Sequence, residues 1–167
     1  MHPWLIPVIS SVPSVCASSF LPLLESRVVQ PADPRPTEAR FTQRIRYVEC
    51  DPMGYLHHSH YLPFFEMGRI ELLRLCGISY RELEERDILF VVTRITVNFK
   101  RPARYDDEIE IVTKMLKQTH VRIDHAYEIF HAQTRTLLCT AESTIACINR
   151  AGEVQQIPDL LGGKYAP

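Results

Sequence analysis

No CxxC pair and no metal-ligand spacing occurs among the five cysteines, Cys16, Cys50, Cys76, Cys139 and Cys147. Their odd number excludes a fully paired disulfide framework and favours a reducing compartment. Neither charge is in excess: 19 basic against 20 acidic residues give a formal net charge of -1. No global field therefore draws in nucleic acid or an anionic membrane. No apolar run reaches membrane-spanning length, and there is no internal repeat or low-complexity tract. The first two dozen residues carry no early Lys or Arg and are broken by Pro3, Pro7, Pro13 and Pro22, which disfavours a cleaved export signal.

What remains is a chain of 167 residues, 46% apolar and 23% charged, enough for one domain that buries a core without disulfides or a metal. More than half of the twelve prolines fall in residues 1–39, so this stretch reads as a proline-rich leader, flexible or an extended arm. Trp4, Leu5, Ile6 and Phe20 would be buried there only by docking on a neighbouring subunit. Residues 40–157 read as the folded domain and 158–167 as a peripheral tail.

Within the domain, Phe41, Gln43, Ile45 and Tyr47 alternate with Thr42, Arg44, Arg46 and Val48, the pattern of a half-buried strand. This strand delivers Glu49 and Asp51 into a turn. Leu62, Phe65, Arg69 and Leu72 or Leu73 then recur at helical spacing from Tyr61 to Cys76, and Phe64, Ile70 and Leu75 widen the apolar face enough to suggest a helix wrapped by a sheet. Pro63 requires either an irregular opening turn capped by Ser59 or a regular helix beginning near Pro63. Gly77 supplies the C′ stop. Ser79 and Glu82 form a capping-box pattern for a short helix over 80–86. Strands follow over Val91–Phe99, Glu108–Leu116, Val121–His131 and Leu137–Ile148, the last apolar enough to be central, with Asn149–Gly152 as a turn. The expected fold is α+β: a single antiparallel sheet curled around one long central helix.

The stretch Asp51-Pro52-Met53-Gly54-Tyr55-Leu56-His57-His58-Ser59-His60-Tyr61 sets a carboxylate, a turn glycine, three imidazoles and a phenol between strand and helix. A carboxylate at that junction suits a nucleophile or a general base, although Asp before Pro and Gly is also ordinary turn chemistry. The histidines lack the third or fourth ligand that a metal site needs.

Asp51, Pro52, Gly54, His58 and Tyr61, with the helical segment Phe65-Glu66-Met67-Gly68-Arg69-Ile70-Glu71, resemble the signature of the hotdog-fold acyl-CoA thioesterases of the 4-hydroxybenzoyl-CoA thioesterase type, and most nearly the bacterial Tol-Pal-associated, YbgC-like branch. Phe90–Arg94, Val97–Phe99, Pro102–Arg104 and Asp106–Asp107 extend the match, which covers roughly residues 41–157. The resemblance implies a hotdog domain that hydrolyses a small aliphatic or aromatic acyl-CoA, with Asp51 as nucleophile or general base. It points the substrate carbonyl at the helix N-terminus, where the His58 N–H is the candidate oxyanion donor. His58 also stands as a catalytic side chain that would orient Asp51, bind substrate or protonate the thiolate. Gly54 lets the backbone turn beside the acyl group.

Tyr61 helps shape the site in that family, against the alternative of a core aromatic. Thr93 lies where a second subunit would approach, against a hydroxyl satisfied locally. Lys100, Arg101 and Arg104 are candidates for the coenzyme A phosphates, against a solvated basic turn. Glu66 is expected to support the site through an ion pair, with Arg69 as its partner. No cofactor is implied, since coenzyme A is part of the substrate. The expected partners are acyl-CoA and further copies of the chain in a dimer or tetramer, without nucleic acid or integral membrane association, and the expected location is cytoplasmic because coenzyme A is intracellular. An acyl carrier protein as leaving group, and a non-catalytic acyl-CoA binding or scaffold protein, are the competing functions. A hydratase of the same fold is disfavoured by the missing hydration signature.

Overall fold

Alternation of apolar and polar residues over four long segments produces a five-stranded antiparallel sheet in the order β1-β3-β4-β5-β2. The strands are β1 (Glu38–Arg44), β2 (Leu89–Phe99), β3 (Glu108–Gln118), β4 (Arg122–His131) and β5 (Leu137–Ile148), and the helices are α1 (Tyr61–Leu75) and α2 (Tyr80–Glu85). The computed structural model describes residues 35–158. The expectations for residues 1–34 and for most of the tail lie outside the described residues. β1 takes in Glu38 and Ala39, at the end of the segment read as leader, and pairs with β3 from Glu38↔Lys114 to Arg44↔Glu108.

The helix seats on one face of this sheet over β1 and β3. Its buried positions are Tyr61, Phe64, Phe65, Gly68 and Leu72, so the inward stripe is rotated from the one read in sequence: Leu62 is exposed and Arg69 only half-buried. Gly68 explains the rotation. A Cβ at this position would overlap Thr113 Oγ1 on β3, so the side-chain-free position lets the helix backbone approach the sheet. Phe64 and Phe65 then join Ile45, Ile109, Ile111, Tyr127, Ile129 and Cys139 in the main core, where full burial of each large apolar side chain stabilises by about 2 kcal/mol. A smaller cluster gathers Leu83, Ile88, Ile123, Ile145, Cys147 and Ile157. Ile157, the last residue of the segment read as the folded domain, is therefore core. Cys139 and Cys147 fill buried apolar positions as their surroundings predicted.

Several local expectations are corrected. The first strand ends at Arg44; Tyr47–Glu49 is a 3-10 turn, and Tyr47 is 81% exposed instead of facing the core. A 3-10 turn over His58–His60 leads into α1 and is capped by His57, whose Nδ1 accepts from the Ser59 N–H and pairs with Ser59 Oγ at 2.8 Å, while α1 itself has no side-chain cap bond. Pro63 sits in the first α-helical turn, where a missing N–H costs little. Gly77, at φ +74°, closes α1 with Gly77 N–H donating to Arg74 O and Ile78 N–H to Leu73 O, the Schellman pattern. Ser79 occupies the N-cap of α2 but makes no side-chain cap bond. In β2 the register against β5 slips between Val92 and Arg94. The extra residue puts Phe90 and Val92 on the face shared by Ile95, Val97 and Phe99, and breaks the single apolar face expected from Val91 to Phe99.

Candidate active site

Asp51 lies on a small hairpin built from backbone bonds. Its N–H donates to Tyr55 O at 2.8 Å, its carbonyl accepts the Gly54 N–H at 2.9 Å, and the His57 N–H donates to Glu49 O at 2.9 Å. Cys50 and Leu56 bridge across it. Gly54 turns the tip at φ +76°, a conformation costly for a residue with a Cβ. The returning arm is fastened to the segment after β2: the Leu56 N–H donates to Ala103 O at 2.8 Å, and Tyr55 bridges to Arg104.

Glu49 anchors the entering arm. Only 2% exposed, its carboxylate accepts from the Arg46 N–H at 2.7 Å, from Arg46 Nε at 2.9 Å and from Arg46 Nη2 at 2.7 Å. A buried carboxylate without such donors would be strongly destabilising. Sequence reasoning passed Glu49 over; its place three residues after Arg46, at the end of the alternating run, was the available signal.

The Asp51 carboxylate divides its labour. Oδ1 accepts the Met53 N–H at 2.9 Å and the Tyr55 N–H at 3.1 Å, so Asp51 does serve as a turn aspartate. Oδ2 has no hydrogen-bond partner among the described residues and belongs to a carboxylate that lines an open cleft of about 350 Å³. The cleft also takes in Met53, Tyr55, Leu56, His58, Tyr61, Phe99, Lys100, Arg101 and Pro102. Asp51, His58, Tyr61, Lys100 and Arg101 are thus brought to one place from segments forty residues apart in the chain.

His58 opens its 3-10 turn, so its N–H has no acceptor within the turn. Its ring stacks at 4.0 Å on His57 and makes no hydrogen bond to Asp51; the backbone amides of Met53 and Tyr55 orient the carboxylate instead. Tyr61 is buried, with its ring edge-to-face on Phe99 at 5.0 Å. Burial, helped by Cys139, pushes its phenol up to about 12, so it is a neutral hydroxyl at the cleft floor. Lys100 and Arg101 stand at the cleft where β2 ends, their N–H groups donating to Leu138 O, and neither side chain has a carboxylate partner among the described residues.

Three sequence-predicted residues stand elsewhere. Arg104 leaves the cationic pair, donating to Tyr55 Oη at 3.2 Å and covering its ring at 4.5 Å; it braces the hairpin. Thr93 occupies the β2 irregularity and donates its hydroxyl to Thr144 O at 3.0 Å, away from the cleft of its own chain. Glu66 is exposed and has no ion pair among the described residues. The expected pairing with Arg69 is replaced by a bond from Arg69 Nη1 to Tyr127 Oη at 3.0 Å, because rotation of the helix stripe turns Arg69 toward the sheet.

The arrangement offers a carboxylate with one free oxygen, an amide at the start of a helical turn, an apolar floor and two unpaired cations at the rim. Residues 45–163 match the thioesterase-like superfamily. The acyl-CoA thioester hydrolase YbgC of Escherichia coli O6:H1 is 33% identical over 110 residues, spanning 66% of this chain and 81% of that protein. Among solved structures, a probable thioesterase from Bartonella henselae superposes with TM-score 0.68 at 33% identity, over 72% of this chain and 99% of the other. The DHNA-CoA thioesterase of Staphylococcus aureus gives TM-score 0.68 at 28% identity, over 73% and 80%.

Proposed function

The chain belongs to the thioesterase-like superfamily, and from that premise we propose that it hydrolyses short or medium aliphatic, or small aromatic, acyl-CoA thioesters at the Asp51 cleft. The observation that carries the reading is the split carboxylate: Oδ1 is fixed by two amides while Oδ2 is left to the cleft. Oδ2 either attacks the thioester carbonyl, giving an acyl-aspartyl anhydride that water then hydrolyses to the free acid and Asp51, or takes a proton from the attacking water. The His58 N–H receives the developing oxyanion. The thiolate of coenzyme A then leaves toward the Lys100 and Arg101 rim, whose cations hold its phosphates. Tyr61 and Phe99 form the floor against which the first part of the acyl group packs.

β2 is an edge strand carrying the exposed Val91, Val92 and Phe99. An open apolar edge of this kind is a template for pairing. In the proposed assembly a second copy adds its own β2 there, so that Thr93 of each copy faces the cleft of the other. The protein acts in the cytoplasm, where coenzyme A esters are found. No described helix is long and apolar enough to cross a membrane.

The test is thiol release from a panel of aliphatic and aromatic acyl-CoAs by the protein and by Asp51→Asn. Turnover of at least one ester that falls by about 100-fold or more in the variant supports the reading, given the usual worth of a positioned base. Undiminished turnover in Asp51→Asn removes Asp51 from the mechanism. Release only from a loaded acyl carrier protein transfers the leaving group from coenzyme A to the carrier.

A further inference from the structure

Beneath α1, at the end of the core remote from Asp51, lies a polar network that the hydrolysis described above does not use. Arg69 Nη1 donates to Tyr127 Oη at 3.0 Å, and Tyr127 Oη shares a hydrogen bond of 2.7 Å with Ser143 Oγ. Ser143 is the register partner of His125, whose ring is stacked with that of Tyr127 at 6.2 Å between centroids. His125 is only 4% exposed, and its Nδ1 has no hydrogen-bond partner among the described residues. Burial, reinforced by the nearby Arg69 cation and opposed by Asp124, lowers its pKa to about 3, so the imidazole is neutral near pH 7. Arg69 itself is half-buried with no carboxylate partner among the described residues. A buried unpaired imidazole nitrogen and a guanidinium whose only bond is to a phenol form a costly arrangement for a purely structural core. Both gain if a hydrogen-bonding group is brought to them.

Two stretches of comparable length lead from the cleft toward this network. α1 packs over β1 and β3, which leaves the inner face of β2 incompletely covered. Phe99 is 53% exposed, and Val97 and Ile95 are half-buried along the same face. Phe99 touches Tyr61 in the cleft, and Ile95 is paired with Ser143. From Phe99 to Ile95 the strand advances about 13 Å, and from Tyr61 to Arg69 the helix advances about 12 Å. Both stretches lead from the cleft toward the network, each about the length of a medium acyl chain, and the inner face of β2 is apolar along the way.

We propose that Arg69, Tyr127, Ser143 and His125 form a specificity site for the far end of the acyl group, selecting medium-length acyl chains that carry an oxygen function, hydroxyl or carboxylate, remote from the thioester. The assignment rests on the acyl-CoA reading of the Asp51 cleft. It adds that the preferred substrate is an oxygenated acyl group held at both ends, with Arg69 donating to the distal oxygen and the carbonyl seated at Asp51.

The experiment measures binding and turnover separately. Non-hydrolysable thioether analogues of decanoyl-CoA, of its ω-hydroxy form and of the matching ω-carboxy form are titrated into the full chain by calorimetry, and the corresponding thioesters are assayed for thiol release. The two oxygenated analogues, or either of them, are expected to bind about tenfold tighter than the plain one, the worth of one hydrogen bond to a charged donor. Arg69→Gln is expected to abolish that preference, and Ser143→Ala, a small change in the core, is expected to reduce it. Arg69→Lys restores the preference in part. Equal binding of all three analogues by the unaltered protein, or equal weakening of all three in Arg69→Gln, overturns the proposal. If the binding preference is present but no thioester is cleaved, the hydrolase reading fails and the specificity site stands. If plain decanoyl-CoA is cleaved without any preference, the reverse holds.

Discussion

Placing a methyl group at residue 68 sets two opposing terms against each other, and the structure decides which is larger. Gly68→Ala in the middle of α1 gains about 0.8–1.0 kcal/mol of helix propensity, because glycine loses more backbone freedom on folding. The new Cβ, however, overlaps Thr113 Oγ1 and lies 3.2 Å from Thr113 Cβ and 3.7 Å from Ile111 Cγ2. Thr113 is fully buried on β3, between β1 and β4, and cannot retreat without moving the sheet. Overpacking of this kind costs roughly 1–3 kcal/mol, and the severity of the overlap puts it in the upper part of that range. The net expectation is a loss of about 1–2 kcal/mol, a fall of roughly 3–8 °C in Tm for a domain of this size. A double-mutant cycle read by urea denaturation identifies the cause. Thr113→Ala removes the colliding oxygen, which has no hydrogen-bond partner among the described residues, so the double variant recovers at least about 1 kcal/mol relative to additivity. Recovery is partial, since the Cβ contact persists. A Gly68→Ala protein more stable than its parent, or strictly additive variants, would refute the argument that close approach of helix and sheet requires this glycine.

Asp51→Ala removes the acceptor of two amides along with the reactive oxygen, whereas Asp51→Asn keeps an oxygen for them; thermal denaturation should show the alanine variant about 1–2 kcal/mol less stable and the asparagine variant nearly unchanged, with both inactive. The neutral buried His125 predicts an acid limb. Its folded-state pKa of about 3 lies below the ordinary imidazole value of 6.5, so below pH 6.5 the unfolded chain binds a proton that the folded chain refuses, and stability falls with decreasing pH down to about 3. The full loss is on the order of 4 kcal/mol, and His125→Leu, which has no proton to bind, should flatten that part of the stability curve. Arg46→Ala leaves Glu49 buried without its guanidinium partner, which should cost about 1–3 kcal/mol in denaturant titrations and lower turnover by loosening the Asp51 hairpin. Replacing Lys100 and Arg101 together by alanine should raise KM for acyl-CoA about tenfold or more and leave KM for an acyl-pantetheine, which lacks the nucleotide phosphates, almost unaltered.

Strand periodicity, the long helix and the Gly77 stop were legible because each rests on a local rule: period two, period 3.6, and a residue free to adopt positive φ. The irregularities were not. The extra residue near Thr93 reverses which side chains of β2 face inward, yet a run in which Val91, Val92, Thr93, Ile95 and Val97 are all β-branched offers no contrast from which to read a slip. The rotation of α1 was hidden for a similar reason. Phe64, Phe65, Leu62 and Leu72 allow two apolar stripes, and the choice between them is made by Gly68 meeting Thr113, a contact between residues forty-five positions apart. Asp51, His58 and Tyr61 could be singled out together, and line one cleft, because the hairpin and helix start that carry them are contiguous in sequence. Glu49 was missed because its partner Arg46 looked like the outward face of a strand that in fact ends two residues earlier.

With Asp51 as the proposed reacting group, the buried ion pair at the foot of the hairpin and the bonds that hold its returning arm would bear directly on catalysis. A reacting carboxylate on a free loop would have to be ordered in each turnover, and fixing one residue's backbone costs about 1–2 kcal/mol. Here the cost is met on folding: Arg46 and Glu49 hold one arm, the Leu56 bond to Ala103 and Arg104 on Tyr55 hold the other, and two amides fix Asp51 Oδ1. Only Oδ2 retains unused hydrogen-bonding capacity. The same logic applies at the other end of the apolar strip, where Arg69, Tyr127 and Ser143 are already bonded to one another and His125 Nδ1 is left unpaired. An acyl chain reaching from one set of spare valences to the other would be positioned by a scaffold whose ordering was completed before it arrived, so its binding energy is available for orienting the carbonyl over Asp51.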